Sequence, residues 1–302
     1  MEKNKLKLGY STSLPIKLEN HIYTKKNTEN VENVENVENI ENNIKLIKIL
    51  SKKFTCIQIM FSKLKLSSDD IKQIKSILKN YKQIFVHASY QINIGADLIP
   101  SQNDLYSTSI EILLNEIIYA NKICANGIVV HMGKNVKNKY SNEHIYNNMV
   151  KFIIELFKKL KSNKINIPIL LETPAGQGGE MCWDLNEFVE FITKFSKLYF
   201  YHQLCVCLDT CHLFQAGYDF NNLKIIKQVH KILLPIQNKI QLIHLNDSYY
   251  SVGKRKDVHA QIGHGYIQTN KLIQFIYPYK LIPMILETSG PYEEQIKNLT
   301  KK

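Results

Sequence analysis

Six apolar stretches of this sequence end, one after another, in an ionisable side chain. The residues at these ends are His87, His131, Glu172, Asp209, His244 and Glu287. A charged group at the rim of an apolar strand is costly unless it is paired or bound to a metal. Imidazole and carboxylate ligands without thiolate suit zinc, manganese or iron. Repetition of the pattern over six stretches therefore predicts a shared metal site rather than six unrelated residues.

Three further residues extend this set. His212 follows Asp209 by three positions, and Asp257 and His259 come after the seventh apolar stretch. Zinc usually takes three or four protein ligands, so nine are too many for one ion and suit three if a carboxylate bridges. Two metals roughly 3.5–4 Å apart can activate water on one side of a phosphorus atom and stabilise the leaving oxygen on the other. The set therefore favours phosphodiester hydrolysis.

The ionisable residues must be positioned by the strands that they terminate. Eight apolar, β-branched or aromatic runs occur, at residues 6–11, 54–60, 83–90, 127–133, 167–174, 204–212, 240–247 and 282–290. Amphipathic stretches of helical period lie between several of them, and Ser67-Ser-Asp-Asp70 is an N-cap signal for the first. Eight such units predict an α/β fold, the (β/α)8 TIM barrel, in which the C-terminal strand ends converge on one face. A doubly wound open sheet is the alternative.

One segment stands outside this alternation. Residues 25–43 repeat the unit Val-Glu-Asn and have no wide apolar face. Polar, repetitive segments of this kind are typical of surface insertions or disordered loops. We therefore expect a single barrel domain over residues 1–302 that carries an insertion at about 25–43.

The overall composition limits the classes of protein to which this chain can belong. The formal net charge of +12 favours a polyanionic partner, although a chain rich in Lys, Ile and Asn is also what an AT-rich genome produces. No apolar run of about 18 residues occurs, and residues 1–6 lack the features of a secretory signal. We expect an intracellular monomer that is neither secreted nor membrane-bound; cytoplasm, nucleus and virus particle all remain open.

The six cysteines contain no CxxC pair. We interpret them as buried free thiols in a reducing compartment. Cys207 and Cys211 lie beside the ionisable residues, so a direct metal contact is the alternative for these two.

The stretches around the ionisable residues resemble the endonuclease IV family, the second class of apurinic/apyrimidinic (AP) endonucleases. The matching pieces are Leu171–Gly178, Cys207–His212, Ala216–Asp219, His244–Ser248, Asp257–His259 and Gly263–Gly265, with support from His87–Tyr90 and Ile282–Thr288. The resemblance covers about residues 83–290 and, loosely, the first strand. So many pieces in the same order make the match specific. It implies a TIM barrel with three zinc ions.

The resemblance also divides the nine ligands among the three ions, with one carboxylate bridging two of them. The first set is His87, His131 and Glu172; the second is Glu172, Asp209, His244 and Glu287; the third is His212, Asp257 and His259. Manganese could occupy one of these positions.

The same resemblance implies a reaction. Family members hydrolyse the phosphodiester 5′ to an abasic site in duplex DNA, leaving a 3′-hydroxyl and a 5′-deoxyribose phosphate, and they also trim blocked 3′ ends during base excision repair. Glu172 or Glu287 would position the attacking hydroxide. The third zinc would neutralise the leaving 3′-oxygen.

Tyr90 and Gln91 are the candidate DNA contacts. Tyr90 matches a family tyrosine that enters the duplex and helps to expel the abasic nucleotide, a step that costs least where the base is missing; a tyrosine that only packs at the rim is the alternative. Gln91 stands where the family often has Leu, and its polar side chain would weaken this wedge. Other departures from the family pattern are Ser89, Met132, His264 and the first-strand residues Gly9–Ser13. Lys63 and Lys65 could contact DNA, but solvated lysines are the favoured interpretation.

Two other functions remain open. A sugar isomerase or epimerase of the xylose isomerase type shares the barrel and would use Glu172, Asp209, His244 and Glu287 around one or two metals. The other five ionisable residues would then have no purpose. A non-catalytic DNA-binding protein is the third hypothesis, but decay of an enzyme usually removes ligands, and none is missing. The number of metals per chain separates the two enzymes, and an incision assay separates the third hypothesis from the nuclease.

Overall fold

The chain folds into a closed barrel of eight parallel strands. The structure is a computed structural model that describes residues 7–13, 44–61, 65–97 and 105–300. The barrel strands are β1 (Leu8–Ser13), β2 (Cys56–Met60), β3 (Gln83–His87), β4 (Gly127–Val130), β5 (Ile169–Glu172), β6 (Leu204–Asp209), β7 (Ile240–His244) and β10 (Met284–Leu286). They neighbour one another in the order β1-β10-β7-β6-β5-β4-β3-β2. The predicted TIM barrel is thereby confirmed, and the open sheet is excluded.

Helices separate most of these strands. They are α1 (residues 44–50), α2 (Ser68–Leu78), α3 (Leu105–Lys122), α4 (Asn142–Ser162), α5 (Leu185–Thr193), α6 (Thr210–Gln215), α7 (Leu223–Leu233), α8 (Thr269–Ile276) and α9 (Tyr292–Thr300). The N-cap predicted for α2 is present as a capping box: Ser67 Oγ accepts from Asp70 N, and the Asp70 carboxylate accepts from Ser67 N. Such reciprocal bonds satisfy donors that a helix start leaves free.

A small antiparallel hairpin interrupts the alternation after β7. It consists of β8 (Asp247–Ser248) and β9 (His259–Ala260), with Ser248 opposite His259. The sequence pattern did not predict this hairpin, because two-residue strands carry no periodicity.

The inside of the barrel is filled by one apolar layer. Its buried members are Cys56, Phe85, Val129, Leu170, Cys205, Cys207, Leu242 and Ile285. A larger core packs the outer faces of the strands against the helices and includes Ile57, Val86 and Leu171. Burial on both faces explains why the strands are nearly continuous apolar runs.

The structure corrects two expectations from the sequence, and others concern residues outside the described ranges. The run 204–212 is not one strand, since β6 ends at Asp209 and His212 lies in the first turn of α6. Cys124 is exposed rather than buried, whereas the other five thiols are buried as expected, and all six are free. Lys65 is exposed, while Lys63 and the insertion at 25–43 lie outside the described residues. Within the described ranges, no helix is long and apolar enough to cross a membrane.

Candidate metal centre

The ionisable residues form the next layer of the barrel above the apolar one. Side chains alternate along a strand, so the residue two positions after an inward-facing one also faces inward. Two positions after Phe85, Val129, Leu170, Cys207, Leu242 and Ile285 come His87, His131, Glu172, Asp209, His244 and Glu287. Six candidate ligands from six strands therefore meet at the C-terminal mouth, because each follows the same period of two.

The first predicted set is tightly grouped. His87 Nε2 lies 3.2 Å from His131 Nε2, and Glu172 Oε2 lies 3.4 Å from the first and 3.2 Å from the second of these nitrogens. Tetrahedral ligands at about 2.0–2.1 Å from zinc stand about 3.3 Å apart. The three atoms thus have the mutual spacing of ligands around one such ion.

The second predicted set is centred on His244. Its Nδ1 lies 2.7 Å from Glu172 Oε1, 3.2 Å from Glu287 Oε2 and 3.7 Å from Asp209 Oδ2. Glu172 therefore directs one carboxylate oxygen to each of the first two sets. A carboxylate in this position can bridge two metals.

The third predicted set joins α6 to the hairpin. Asp257 Oδ1 lies 2.9 Å from His212 Nε2 and 3.2 Å from His259 Nε2. Asp209 Oδ2 is 3.6 Å from His259 Nε2, so this carboxylate lies between the second and third sets. Each of the three sets brings its candidate ligand atoms within 4.8 Å of one another.

The hairpin is held in place by Asp247. Its buried carboxylate accepts hydrogen bonds from the backbone N–H groups of Ser248, Gly263, Gly265 and Ile267. A Cβ on Gly265 would lie 2.3 Å from Ser248 O, so only glycine fits this approach. These contacts fix the loop of residues 261–267 against β8, which pairs with the strand that presents His259.

Three buried atoms of the predicted ligands need a partner that the described residues do not supply. Glu172 Oε2, His212 Nε2 and His259 Nε2 have no acceptable hydrogen bond within the described part of the chain. Glu172 Oε2 belongs to the first set, and the two histidine nitrogens both belong to the third. Buried polar atoms are rarely left unsatisfied in native proteins, so the residues present fit bound metal ions.

Other hydrogen bonds orient the imidazole rings. His87 Nδ1 bonds to Ala88 O and His212 Nδ1 to Thr173 O, each at 2.9 Å. A ring nitrogen that faces a carbonyl must carry the proton, which leaves the Nε2 lone pair directed into the site. Such outer contacts are typical of metal-binding histidines.

Three polar residues that the sequence analysis missed form hydrogen bonds with the candidate ligands. Asn246 Nδ2 donates to Asp209 Oδ2 at 2.8 Å and to Glu287 Oε2 at 3.0 Å. Gln177 Oε1 accepts from Asp257 N at 3.1 Å. Gln58 bonds to both His244 and Glu287. The signal for Gln58 was a polar residue inside the apolar run at 54–60, and those for Asn246 and Gln177 were polar residues within matched motifs.

The pKa values of the metal-free site reflect burial and mutual charge. Burial lowers the pKa of His131 to about 4. Burial alone would also lower the pKa of His212, but the charges of Asp209 and Asp257 raise it well above its ordinary value. Burial raises the pKa of Cys207 to about 12 and also raises that of Cys211, which keeps both thiols protonated. The Cys207 thiol lies within 4.8 Å of ligand atoms of Glu172 and His244, and the Cys211 thiol lies as close to those of Asp209 and His259. A direct metal contact therefore stays the alternative for these two cysteines.

A pocket of about 240 Å³ opens over the three sets, and Tyr90 lies on its wall. The Tyr90 ring centre is 5.4 Å from that of His87 and 5.2 Å from that of His131, yet 67% of the residue is exposed. Gln91 is exposed next to it. Tyr90 is thus an accessible aromatic side chain beside the candidate ligands.

Three of the departures from the family pattern have surroundings that the structure describes. Ser89 donates its backbone N–H to the buried Glu116 carboxylate at 3.0 Å. Met132 is buried, and His264 is exposed 3.3 Å from Glu294 Oε1. None of these three residues belongs to the grouped ligand sets.

Comparisons with known proteins agree with this geometry. A family model described as a xylose isomerase-like TIM barrel matches residues 48–302. A protein of Mesoplasma florum named probable endonuclease 4 is 35% identical over 244 residues, which are 77% of this chain and 78% of the relative. A protein of the same name from Mesomycoplasma hyopneumoniae is 34% identical over 229 residues, 73% of this chain and 76% of the relative.

Solved structures show the same architecture. Endonuclease IV from Thermus thermophilus superposes with a TM-score of 0.66 at 21% identity, covering 97% of this chain and 96% of that one. A D-tagatose 3-epimerase-like protein superposes with a TM-score of 0.65 at 19% identity, covering 97% and 94%. At such identities the structural likeness establishes the fold alone.

Proposed function

This chain belongs to the endonuclease IV family of AP endonucleases, within the xylose isomerase-like TIM barrels, and from that premise we propose that it is a zinc-dependent DNA-repair nuclease. Its substrate is duplex DNA that contains an abasic site. It hydrolyses the phosphodiester on the 5′ side of that site, and leaves a 3′-hydroxyl and a 5′-deoxyribose phosphate. The same chemistry at a strand end trims blocked 3′ termini.

The grouping of nine side chains into three sets carries this proposal. A sugar isomerase of the same fold would need only the second set, Glu172, Asp209, His244 and Glu287. The first and third sets, however, are also grouped within ligand distance, and they contain the orphaned buried atoms. Three metals are more than aldose–ketose chemistry requires and suit the charge that develops at a phosphodiester.

In the proposed site the nine residues would hold three zinc ions, one in each of the three sets described above. Bound zinc supplies Lewis-acid charge and lowers the pKa of water towards neutrality. Glu172 and Glu287 orient the attacking water, because each has an oxygen at the junction of the sets. Glu287 Oε2 is held there by Asn246 at 3.0 Å. His212, Asp257 and His259 lie beside them and would hold the ion that supplies positive charge for the leaving 3′-oxygen.

Tyr90 supplies selectivity for the abasic site in this proposal. Its exposed ring stands next to the pocket and enters the base stack where a base is missing. Unstacking costs least at such a position. Gln91 follows it into the groove, but its polar end makes a weaker wedge than an apolar side chain.

An incision assay tests the proposal. The substrate is a duplex with one tetrahydrofuran abasic analogue, and the protein is assayed before and after prolonged chelation, with metal analysis in parallel. We expect cleavage on the 5′ side, about three zinc ions per chain, and loss of activity on chelation that zinc reverses. A single bound metal together with no incision would overturn the proposal and favour a sugar isomerase.

A second substrate tests the trimming activity. A nicked duplex with a 3′-phosphate or 3′-phosphoglycolate end should yield a free 3′-hydroxyl in the presence of the zinc-loaded protein. Sedimentation of the protein with and without this DNA tests the expected monomer.

A further inference from the structure

We infer that Gln58 is a positioning residue of the metal centre, whose buried amide directs His244 and Glu287 towards the second set. Gln58 is not among the nine ligands, and this inference rests on the metal-dependent function proposed above. The residue acts through its two partners and is assigned no contact with the substrate.

The barrel places Gln58 in the same layer as the ligands. It lies two positions after Cys56, a member of the inner apolar layer, just as the six strand-end ligands follow their own inner residues. Gln58 is 0% exposed. A buried amide without hydrogen bonds is costly, so the contacts of this side chain must account for its presence in β2.

The amide makes one hydrogen bond to each of two proposed ligands. Gln58 Nε2 donates to Glu287 Oε1 at 2.8 Å, and Gln58 Oε1 accepts from His244 Nε2 at 2.8 Å. Nε2 also reaches Ser11 Oγ at 3.3 Å. One side chain thereby links β2 to β7 and to the residue after β10.

Chemistry fixes the orientation of these bonds. An ionised carboxylate only accepts, so the NH2 group of Gln58 must face Glu287, and the amide oxygen must then face His244. An amide oxygen only accepts, so the proton of His244 must be on Nε2. Nδ1 faces Glu172 Oε1 at 2.7 Å and Glu287 Oε2 at 3.2 Å, so it is the ring nitrogen that would bind a metal in the second set in place of its proton.

Glu287 is oriented by the same amide. Its Oε1 is engaged by Gln58, while its Oε2 lies 3.2 Å from His244 Nδ1 at the junction of the sets. Without Gln58, the carboxylate could rotate and the ring could take its other tautomer. Metal affinity of the second set and orientation of the attacking water would both decline.

Zinc release from the full-length, zinc-loaded protein tests this inference. The coloured chelator 4-(2-pyridylazo)resorcinol is titrated into the wild type and into Gln58→Met, which keeps the length of the side chain but removes both bonds. We expect one zinc of three to leave at about 10- to 100-fold lower chelator concentration, the usual effect of losing an outer hydrogen bond to a metal ligand. We expect kcat for incision to fall by a similar factor while KM for abasic DNA is unchanged.

Two further variants make the outcome decisive. Gln58→Asn keeps an amide but shortens it by one methylene, so it should shift zinc release in the same direction; it decides the question if Gln58→Met does not fold. Ile59→Met alters the outer face of the same strand and should behave as the wild type. Wild-type zinc release in both Gln58 variants, or an equal shift in Ile59→Met, would overturn the inference.

The same measurements separate this inference from the proposed function. A wild-type chain that binds zinc but does not cut abasic DNA refutes the function, while the zinc-release comparison still judges Gln58. A wild-type chain that binds no zinc overturns both.

Discussion

Asp209 combines a structural role with a proposed metal-binding role in the same carboxylate. Its Oδ1 accepts from His212 N at 2.7 Å and caps α6, while its Oδ2 accepts from Asn246 and faces His244 and His259. The cap positions His212. Oδ2 lies 3.7 Å from His244 Nδ1 and is the atom that Asp209 contributes to the second set. A single residue thus couples the start of a helix to two of the three proposed metal positions.

Asn at this position should separate the two roles. Asn is as good an N-cap as Asp, so Asp209→Asn should remain folded, but it loses the anionic oxygen. We expect fewer than three zinc ions per chain and incision reduced by more than about 100-fold, beyond the effect of an outer-contact variant. Circular dichroism tests whether the variant is folded, metal analysis gives its zinc content, and the incision assay gives its activity. Full activity in the folded variant would contradict the assignment of Asp209.

Tyr90 permits a second test at a single residue. A ring that enters the stack should contribute about 1–3 kcal/mol to binding, as stacked aromatic residues do. We therefore expect Tyr90→Ala to weaken binding of abasic duplex by that amount and to change binding of intact duplex much less. Fluorescence anisotropy with matched duplexes measures both.

An exposed tyrosine elsewhere provides the control. Tyr277 is 64% exposed and lies between α8 and β10, at the opposite end of the barrel from the strand ends that carry the ligands. Tyr277→Ala should leave both affinities unchanged. An equal loss on abasic and intact DNA in Tyr90→Ala would show that the ring only packs at the rim.

At the scale of elements, the strands were predictable and the loops were not. The eight runs and the ionisable residues at their ends appear in the sequence because burial on both faces leaves a local signature. The hairpin of β8 and β9 does not, since its position depends on Asp247 binding a loop about 16–20 residues later. The role of Gln58 was not predicted for a related reason, since its partners His244 and Glu287 are distant in sequence. The ligand roles of the nine residues stay predictions, although the structure groups them.

Asp247→Asn tests the anchoring of this hairpin. Oδ1 accepts from Ser248 N and Ile267 N, and Oδ2 accepts from Gly263 N and Gly265 N. An amide turns one oxygen into a donor that faces two N–H groups, and each unsatisfied donor costs about 1–3 kcal/mol. We expect the free energy of unfolding to fall by about 2 kcal/mol or more in urea titrations, with weaker zinc binding at His259.

Asp219 offers a matched comparison for that substitution. Its Oδ1 accepts one hydrogen bond, from Asn221 N at 3.0 Å, and an asparagine oxygen can keep it. Asp219→Asn should therefore change the free energy of unfolding by a few tenths of a kcal/mol, the scale of surface changes. Equal stability losses in the two variants would argue against a special role of Asp247.

For the whole molecule, the proposed metals would tie six strands together at one end of the barrel. The strand-end ligands come from β3 to β7 and from the end of β10, so metal ions would join most of the circumference. A ligand that binds only the folded state stabilises it in proportion to its affinity. Zinc should therefore raise the melting temperature of the entire barrel rather than that of one loop.

This stabilisation should depend on pH in a defined direction. In the metal-free protein, burial opposes protonation of His212 and His259, but the charge of Asp209 and the contacts with Asp257 raise the pKa of both rings. Metal ligation requires neutral imidazole, so zinc must displace these protons. His131, whose pKa burial lowers to about 4, is already neutral and releases none. Zinc affinity should thus decline as pH falls, because protons compete for His212 and His259.

Differential scanning fluorimetry of the metal-stripped protein measures this linkage. The rise in melting temperature on adding a fixed excess of zinc should be larger at pH 8 than at pH 6. Calorimetry in two buffers of different ionisation enthalpy should show proton release on zinc binding. Asp209→Asn should reduce the rise at both pH values, because it removes a proposed ligand. A rise that is equal at both pH values, without proton release, would mean that zinc does not bind through these histidines.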